Sequence, residues 1–284
     1  MNSFRGKSVI VTGGSRGIGK AVAKNFYELG AFVIICARNQ QEIDSACKEI
    51  DPSGKRCFGI QTDVSVIEEC EKLIKYVVEK FGKIDILINN AGVYGEIGEL
   101  ETSNLKNWAK TLEVNLLGTV NCTKFVISVM KKNGGGKIVN FAGAGAGGKK
   151  GLPNFSAYYT SKIAIVGFTE TLAEELKKDN IQINCISPGP VNTGITDYLI
   201  TQGVTKAGPK MYKQALDQKK DNKNSPESAI NMINYLCSGK TDHISGRLIS
   251  SKWDNIEDLK KLPQEGDMFK LRRIDGQLFD TKQD

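Results

Sequence analysis

Residues 8–19 read SVIVTGGSRGIG. Ser8 to Thr12 is a short apolar run that ends in glycines, and Gly17 to Leu29 carries apolar residues at helical spacing, so the segment is strand, turn and helix. Glycines at that joint let the backbone turn tightly and approach a pyrophosphate, which the free N–H groups and dipole of the helix N-terminus then hold. A position between strand and helix makes this dinucleotide pattern far more specific than glycine spacing alone. The residues expected to line the phosphates are Gly13, Ser15, Arg16, Gly17, Ile18 and Gly19.

The pattern continues outward. Phe32 to Cys36, Arg56 to Gln61 and Ile84 to Ile88 are further apolar runs separated by amphipathic stretches, and Lys137 to Phe141, Ile181 to Ile186 and Gly246 to Ser250 supply three more. Alternation of this kind implies right-handed crossovers and a parallel sheet. FVIIC and, apart from Asp85, IDILI are continuously apolar, as strands covered on both faces must be. The expected fold is α/β, a Rossmann-type doubly wound sheet of seven parallel strands in one domain, residues 1–250, with an extension over 251–284. Ser225-Pro226-Glu227 is an N-cap with proline at the first helical position and predicts a helix to about Cys237. Residues 134–148 are glycine-rich enough to form a mobile loop around a strand.

At the end of the second strand, about 20 residues beyond the glycine loop, an acidic residue would bind the ribose 2′-hydroxyl of NAD. Ala37 and Arg38 stand there instead. Arg38 and Arg16 suit a 2′-phosphate through paired, charge-assisted hydrogen bonds, so NADP is favoured over NAD. Further on, Tyr158 to Lys162 reads YYTSK, and positions i and i+4 share one helix face. An ammonium beside a phenol favours the phenolate and lowers its pKa from about 10, which makes Tyr158 a candidate general acid or base. Tyr76 and Lys80 have the same spacing, so spacing alone does not choose between the pairs.

Composition narrows the classes. The 284 residues are 40% apolar, enough for an ordinary globular core. The net charge of +7 comes from scattered lysines without a basic run interleaved with aromatics, so no nucleic-acid partner is expected. No apolar stretch has the length of a signal peptide or a membrane span, and the expectation is a soluble, cytoplasmic protein without a membrane partner. Seven cysteines, with Cys36 and Cys185 inside apolar runs, read as reduced core residues. With no CxxC pair and His243 alone among histidines, no metal is expected.

The ordered motifs resemble those of the short-chain dehydrogenase/reductase family. They are TGGSRGIG with Gly13, Gly17 and Gly19, then NNAG at Asn89 to Gly92, Asn115, Tyr158 with Lys162, and PGPVNT at Pro188 to Thr193. The match covers about residues 5 to 250 and selects Tyr158 over Tyr76, because Tyr158 follows the fifth strand. The resemblance implies that Tyr158 passes a proton to or from the substrate oxygen, that Lys162 holds the nicotinamide ribose, and that Asn115 keeps a water in the proton relay. It also implies that Asp63 and Val64 contact the adenine and that Asn89, Ala91 and Gly92 line the cofactor. Pro188, Gly189, Val191 and Thr193 would meet its carboxamide end. Helices near 103–132 and 156–178 would pair copies into a homodimer or homotetramer.

Two places depart from the family. Ala142 and Gly143 occupy the positions expected for serines, and the loop from there to Tyr158 is lengthened and carries Lys149 and Lys150. Trp253, Leu259, Leu262, Phe269 and Leu271 give the extension enough apolar surface to dock on its own body or a neighbouring subunit. The expected activity is transfer of hydride between a nicotinamide and a small-molecule carbonyl or alcohol substrate, with residues 192–224 as substrate lid. Lysines 206, 210, 213, 219, 220 and 223 give that segment a positive bias. The alternative, motivated by the missing serine, is a catalytically weak or inactive NADP-binding sensor or scaffold.

Overall fold

The structure, a computed structural model, describes residues 3–143, 146, 151–220, 225–263 and 269–270. Seven strands form one parallel sheet: β1 (Ser8–Thr12), β2 (Phe32–Ala37), β3 (Cys57–Gln61), β4 (Ile86–Asn89), β5 (Gly136–Phe141), β6 (Ile181–Ser187) and β7 (Leu248–Ser250). Their spatial order is β3-β2-β1-β4-β5-β6-β7, so the order reverses between β1 and β4. That reversal opens a crevice at the carboxyl ends of the strands.

Helices cover both faces because the strands are apolar on both. In β1, Val9 and Val11 enter one core layer and Ile10 the other. The first layer takes α1 (Gly17–Glu28), α2 (Gln40–Ile50) and α9 (Glu227–Leu236) through Phe26, Ile43 and Ile233. The second takes α3 (Ile67–Phe81), α5 (Gly118–Lys132) and α6 (Ser156–Glu175) through Leu73, Val126 and Leu172. Between them α4 (Leu105–Leu112) passes through a π-helical turn, Glu113–Leu117, into α5. α7 (Gly194–Ala207) and α8 (Pro209–Lys220) lie beyond β6, and α10 (Ile256–Leu259) follows β7.

Local chemistry explains the element ends. Asn39 Oδ1 accepts the Glu42 N–H at 3.1 Å and caps α2, while Ser225 Oγ accepts the Glu227 N–H at 3.2 Å ahead of α9. β4 begins at Ile86 instead of Ile84 because the intervening Asp85 carboxylate accepts from the Ser8 N–H and the Lys7 ammonium, both at 2.9 Å. β7 begins at Leu248 because Gly246, at φ 72°, turns the chain just before it. The weakly patterned segment after β6 is helical, with a kink inside α7 at Gly203. Lys149, Lys150, Lys223, Leu271, residues 275–284 and most of the glycine-rich stretch after Gly143 fall outside the described residues.

The extension returns to the sheet. Leu248 donates its N–H to the Phe269 carbonyl at 2.6 Å, on the side of β7 away from β6, so the extension covers part of the sheet's edge strand. Among the described residues no helix is long and apolar enough to cross a membrane.

Candidate active site

At the reversal point, Thr12 ends β1 and the chain turns through Gly13 into α1. Gly17 sits at φ 57°, and a Cβ on Gly19 would stand 2.3 Å from the Gly13 carbonyl oxygen, so both positions exclude a side chain. Arg16, ahead of α1, offers no side-chain cap, which leaves the first N–H groups of the helix for an anion. The loop is stapled to the end of β4. Thr12 Oγ1 accepts the N–H groups of Asn90 and Ala91 at 3.1 and 3.0 Å, and Asn90 Nδ2 donates to the Thr12 carbonyl at 2.9 Å.

A cleft of about 1030 Å³ opens over this joint. Gly13 and residues 15–18 line it, with Arg38 just beyond β2, Asp63 and Val64 beyond β3, Ala91 and Gly92 beyond β4, and Thr193. A closed glycine cradle, an uncapped helix and this volume fit a dinucleotide. Gly19 lies beneath the loop instead of lining the cleft. Asn89 departs from expectation: it is buried in the sheet, its Nδ2 donating to Thr123 Oγ1 and Asn140 Oδ1, both at 2.9 Å, and Asn90 lines the cleft in its place. Side chains alternate along a strand, so the first asparagine of the pair faces the core and the second faces out.

Beyond β3, burial raises the Asp63 carboxyl, but hydrogen bonds from the Ser65 hydroxyl and N–H, with Lys110 and Arg38 nearby, more than offset it and leave it below the usual range. Arg16 meets an acid that sequence reading passed over. Glu42, in the first turn of α2, lies 3.7 Å from the Arg16 guanidinium and accepts from Ser15 Oγ at 3.2 Å. The pair is largely exposed and contributes little.

Tyr158 and Lys162 rise from one face of α6, both nearly fully buried. Lys162 Nζ lies 5.9 Å from the Tyr158 ring centre and donates to the Phe141 carbonyl at 2.9 Å. Burial pulls its ammonium down from 10.5 to about 8, against a smaller opposing pull from the Cys185 thiol. Asn115 occupies the π-helical turn, where the extra residue aims its amide across to the chain after β4. Its Oδ1 accepts the Val93 N–H at 2.8 Å, and its Nδ2 donates to the Val93 carbonyl and to Ser161 Oγ, both at 2.9 Å. Asn115 thus ties the chain beyond β4 to α6 and to Tyr158, whose carbonyl accepts from Ser161 Oγ at 2.7 Å.

A second cavity, about 770 Å³, shares Ile18, Tyr94, Thr193 and Ile195 with the cleft, so the two are continuous. Ala142, Gly143 and Tyr158 face it, Pro188, Gly189 and Val191 form another wall, and Leu199, Met211 and Gln214 of α7 and α8 cover it. Lys252, Trp253, Asp254, Phe269 and Lys270 bring the extension to its wall. Gly143 has a specific reason to be glycine: the Cβ of any side chain would stand 2.1 Å from the Tyr158 hydroxyl oxygen. Position 143 therefore has no room for a serine side chain while the phenol fills that space.

Tyr94 is the site residue the motifs did not reveal. Its ring centre is 4.7 Å from that of Tyr158 and 5.3 Å from that of Phe155. Its hydroxyl makes no hydrogen bond among the described residues, and burial raises its pKa, so it stays a neutral donor. The only sequence signal was an aromatic two residues after NNAG, beyond Val93.

A family model described as short chain dehydrogenase matches residues 7–202. Dehydrogenase/reductase SDR family member 4 of Mus musculus is 33% identical over 248 residues, which is 87% of this chain and 86% of that protein. Among solved structures, NAD+-bound xylitol dehydrogenase is 28% identical with a TM-score of 0.78, over 87% of this chain and 98% of the other. A variant of actinorhodin polyketide ketoreductase with NADPH is also 28% identical, with a TM-score of 0.76, over 88% of this chain and 96% of the other.

Proposed function

The chain belongs to the short-chain dehydrogenase family, and from that premise we propose an NADP-preferring oxidoreductase that interconverts a small-molecule carbonyl and its alcohol. One observation carries the reading: Tyr158, with Lys162 one helical turn behind it, stands in the cavity that continues into the dinucleotide-shaped cleft. When bound there, the nicotinamide supplies or accepts the hydride. In the reducing direction the Tyr158 hydroxyl gives its proton to the substrate oxygen, and Lys162 in its charged form steadies the phenolate left behind. Asn115 positions this pair through Ser161.

The missing serine leaves one oxygen donor to be replaced, and Tyr94 replaces it. Tyr94 lines the wall shared by the two cavities, with its ring centre 4.7 Å from that of Tyr158, and Ala142 and Gly143 bring no hydroxyl to that wall. Apolar walls from Leu199, Met211 and Ala215 suit a substrate with a hydrophobic body. Arg16 and Arg38 support the preference for NADP, against the single carboxylate of Glu42. The reading extends to a homodimer or homotetramer, supported by Leu105 and Leu117, which are 69% and 47% exposed at the α4 and π-helical surface.

Single-turnover oxidation of NADPH against a panel of aromatic aldehydes, ketones and diketones tests the activity. Turnover on at least one member, lost in Tyr158→Phe and slowed roughly tenfold or more in Tyr94→Phe, is expected for a lost oxygen donor. Tight NADPH binding with no turnover across the panel would favour the NADP-binding sensor, to which the absent hydroxyl at Gly143 points.

A further inference from the structure

The seven cysteines are all free, and four of them form two close sulfur pairs. Cys122 and Cys70 lie 3.6 Å apart, and both are completely enclosed. Cys57, at the start of β3, points its S–H at the Cys47 sulfur on α2, 3.8 Å away. Cys47 is partly exposed, and it is the one cysteine of the seven that is not buried. Gly59 makes room for it, since a Cβ there would stand 3.0 Å from the Cys47 sulfur.

The pair is asymmetric in reactivity as well as exposure. The hydrogen bond from Cys57 lowers the Cys47 pKa, against burial and the carboxylates of Asp44 and Asp51, and the same bond raises that of Cys57. An accessible thiol inclined to ionise thus stands beside a protonated, sheltered partner.

We infer that Cys47 and Cys57 form a peroxide-reactive dithiol that closes to a disulfide between α2 and β3. The Cys47 thiolate attacks a peroxide oxygen, the O–O bond breaks, and the leaving oxygen takes a proton and departs as water or alcohol. Cys47 is left as the sulfenic acid. Cys57 then attacks that sulfur and gives up its proton, the S–O bond breaks and water leaves. In total, two thiols and one peroxide give one disulfide, one water and one water or alcohol, with the peroxide reduced by two electrons. The strand rises about 3.3 Å per residue, so Cys57 lies roughly 13 Å from Gln61 at the cleft, and the bridge braces the flank without entering the site.

The test treats the full-length protein with a small excess of hydrogen peroxide, unfolds it, alkylates the remaining thiols and maps the peptides. The expected result is a peptide pair linked through Cys47 and Cys57, with Cys36, Cys70, Cys122, Cys185 and Cys237 all alkylated and the link removed by dithiothreitol. In Cys57→Ser the reaction should stop at the sulfenic acid, seen as a dimedone adduct on Cys47. Complete alkylation of Cys47 in the treated wild-type protein overturns the proposal, as does a Cys70–Cys122 link formed at an equal rate. A Cys57→Ser protein that yields no adduct while wild type yields no link overturns it too.

Discussion

The two cavities that meet at Tyr94 are walled by opposite means. The cleft is built on the turns that end β1 to β4, held by strand register and by the staple between Thr12 and Asn90, with a few charged side chains such as Arg16 and Arg38 at its rim. The second cavity is made of side chains from segments distant in sequence: the turn after β5, the chain after β6, α7 with α8, and the extension. A backbone cradle suits a ligand common to many proteins, whereas a wall of side chains can be rebuilt for each substrate. Substitutions in the first should therefore change cofactor affinity, and substitutions in the second should change turnover.

The sharpest way to break this division is Tyr158→Phe. Removing a positioned general acid costs about a hundred- to ten-thousandfold in rate. NADPH affinity, read by fluorescence titration, should stay close to wild type. A large loss of affinity would show that Tyr158 belongs to the cofactor wall instead.

Gly143→Ala comes next. The added Cβ must displace the Tyr158 hydroxyl, and overpacking of this kind costs about 1 to 3 kcal/mol, or roughly five- to a hundredfold if it falls on the transition state. Stopped-flow turnover should fall while NADPH binding holds. An unchanged or faster rate would mean that the phenol has another working position.

Arg38→Asp probes the other side of the comparison. Loss of a charge-assisted bond to a 2′-phosphate costs about 1.5 to 3 kcal/mol, roughly ten- to a hundredfold, and NADPH should weaken while NADH holds or tightens. Equal affinity of the unmutated protein for the two cofactors would remove the basis of the preference.

The smallest effect is on stability against pH. Lys162 has a folded pKa of about 8 against an ordinary 10.5. Below the folded value it is charged in both states and the cost of burying that charge is fully present. Between about 8 and 10.5 the unfolded chain binds more protons, so stability rises with pH across that window. Lys162→Met should be the more stable protein at neutral pH in the absence of cofactor, and the difference in Tm should shrink through that window. A difference that does not change with pH would show that Lys162 keeps its charge on folding.

Much of the cleft was legible because its determinants are local. Gly17 needs its φ and Gly19 needs a missing Cβ within one turn of chain, and both appear as glycines in the sequence. Asn89 and Asn90 look alike in a string, and only the strand's phase sends the first into the core. Glu42 was invisible as a partner of Arg16, because α2 must pack beside α1 before the two approach.

The sequence by itself determined the strand–helix alternation, the parallel sheet, the position of the glycine loop and the placing of Tyr158 and Lys162 on one helix face. Each follows from periodicity or from neighbours a few residues apart. Only the tertiary structure decided that Gly143 yields its space to the Tyr158 phenol, that Tyr94 stands beside it, and that the Asn115 amide bridges to Val93 and Ser161. Those contacts join residues brought together by sheet closure and by the π-helical turn, and close packing, which has no sequence period, fixes which side chain occupies each space.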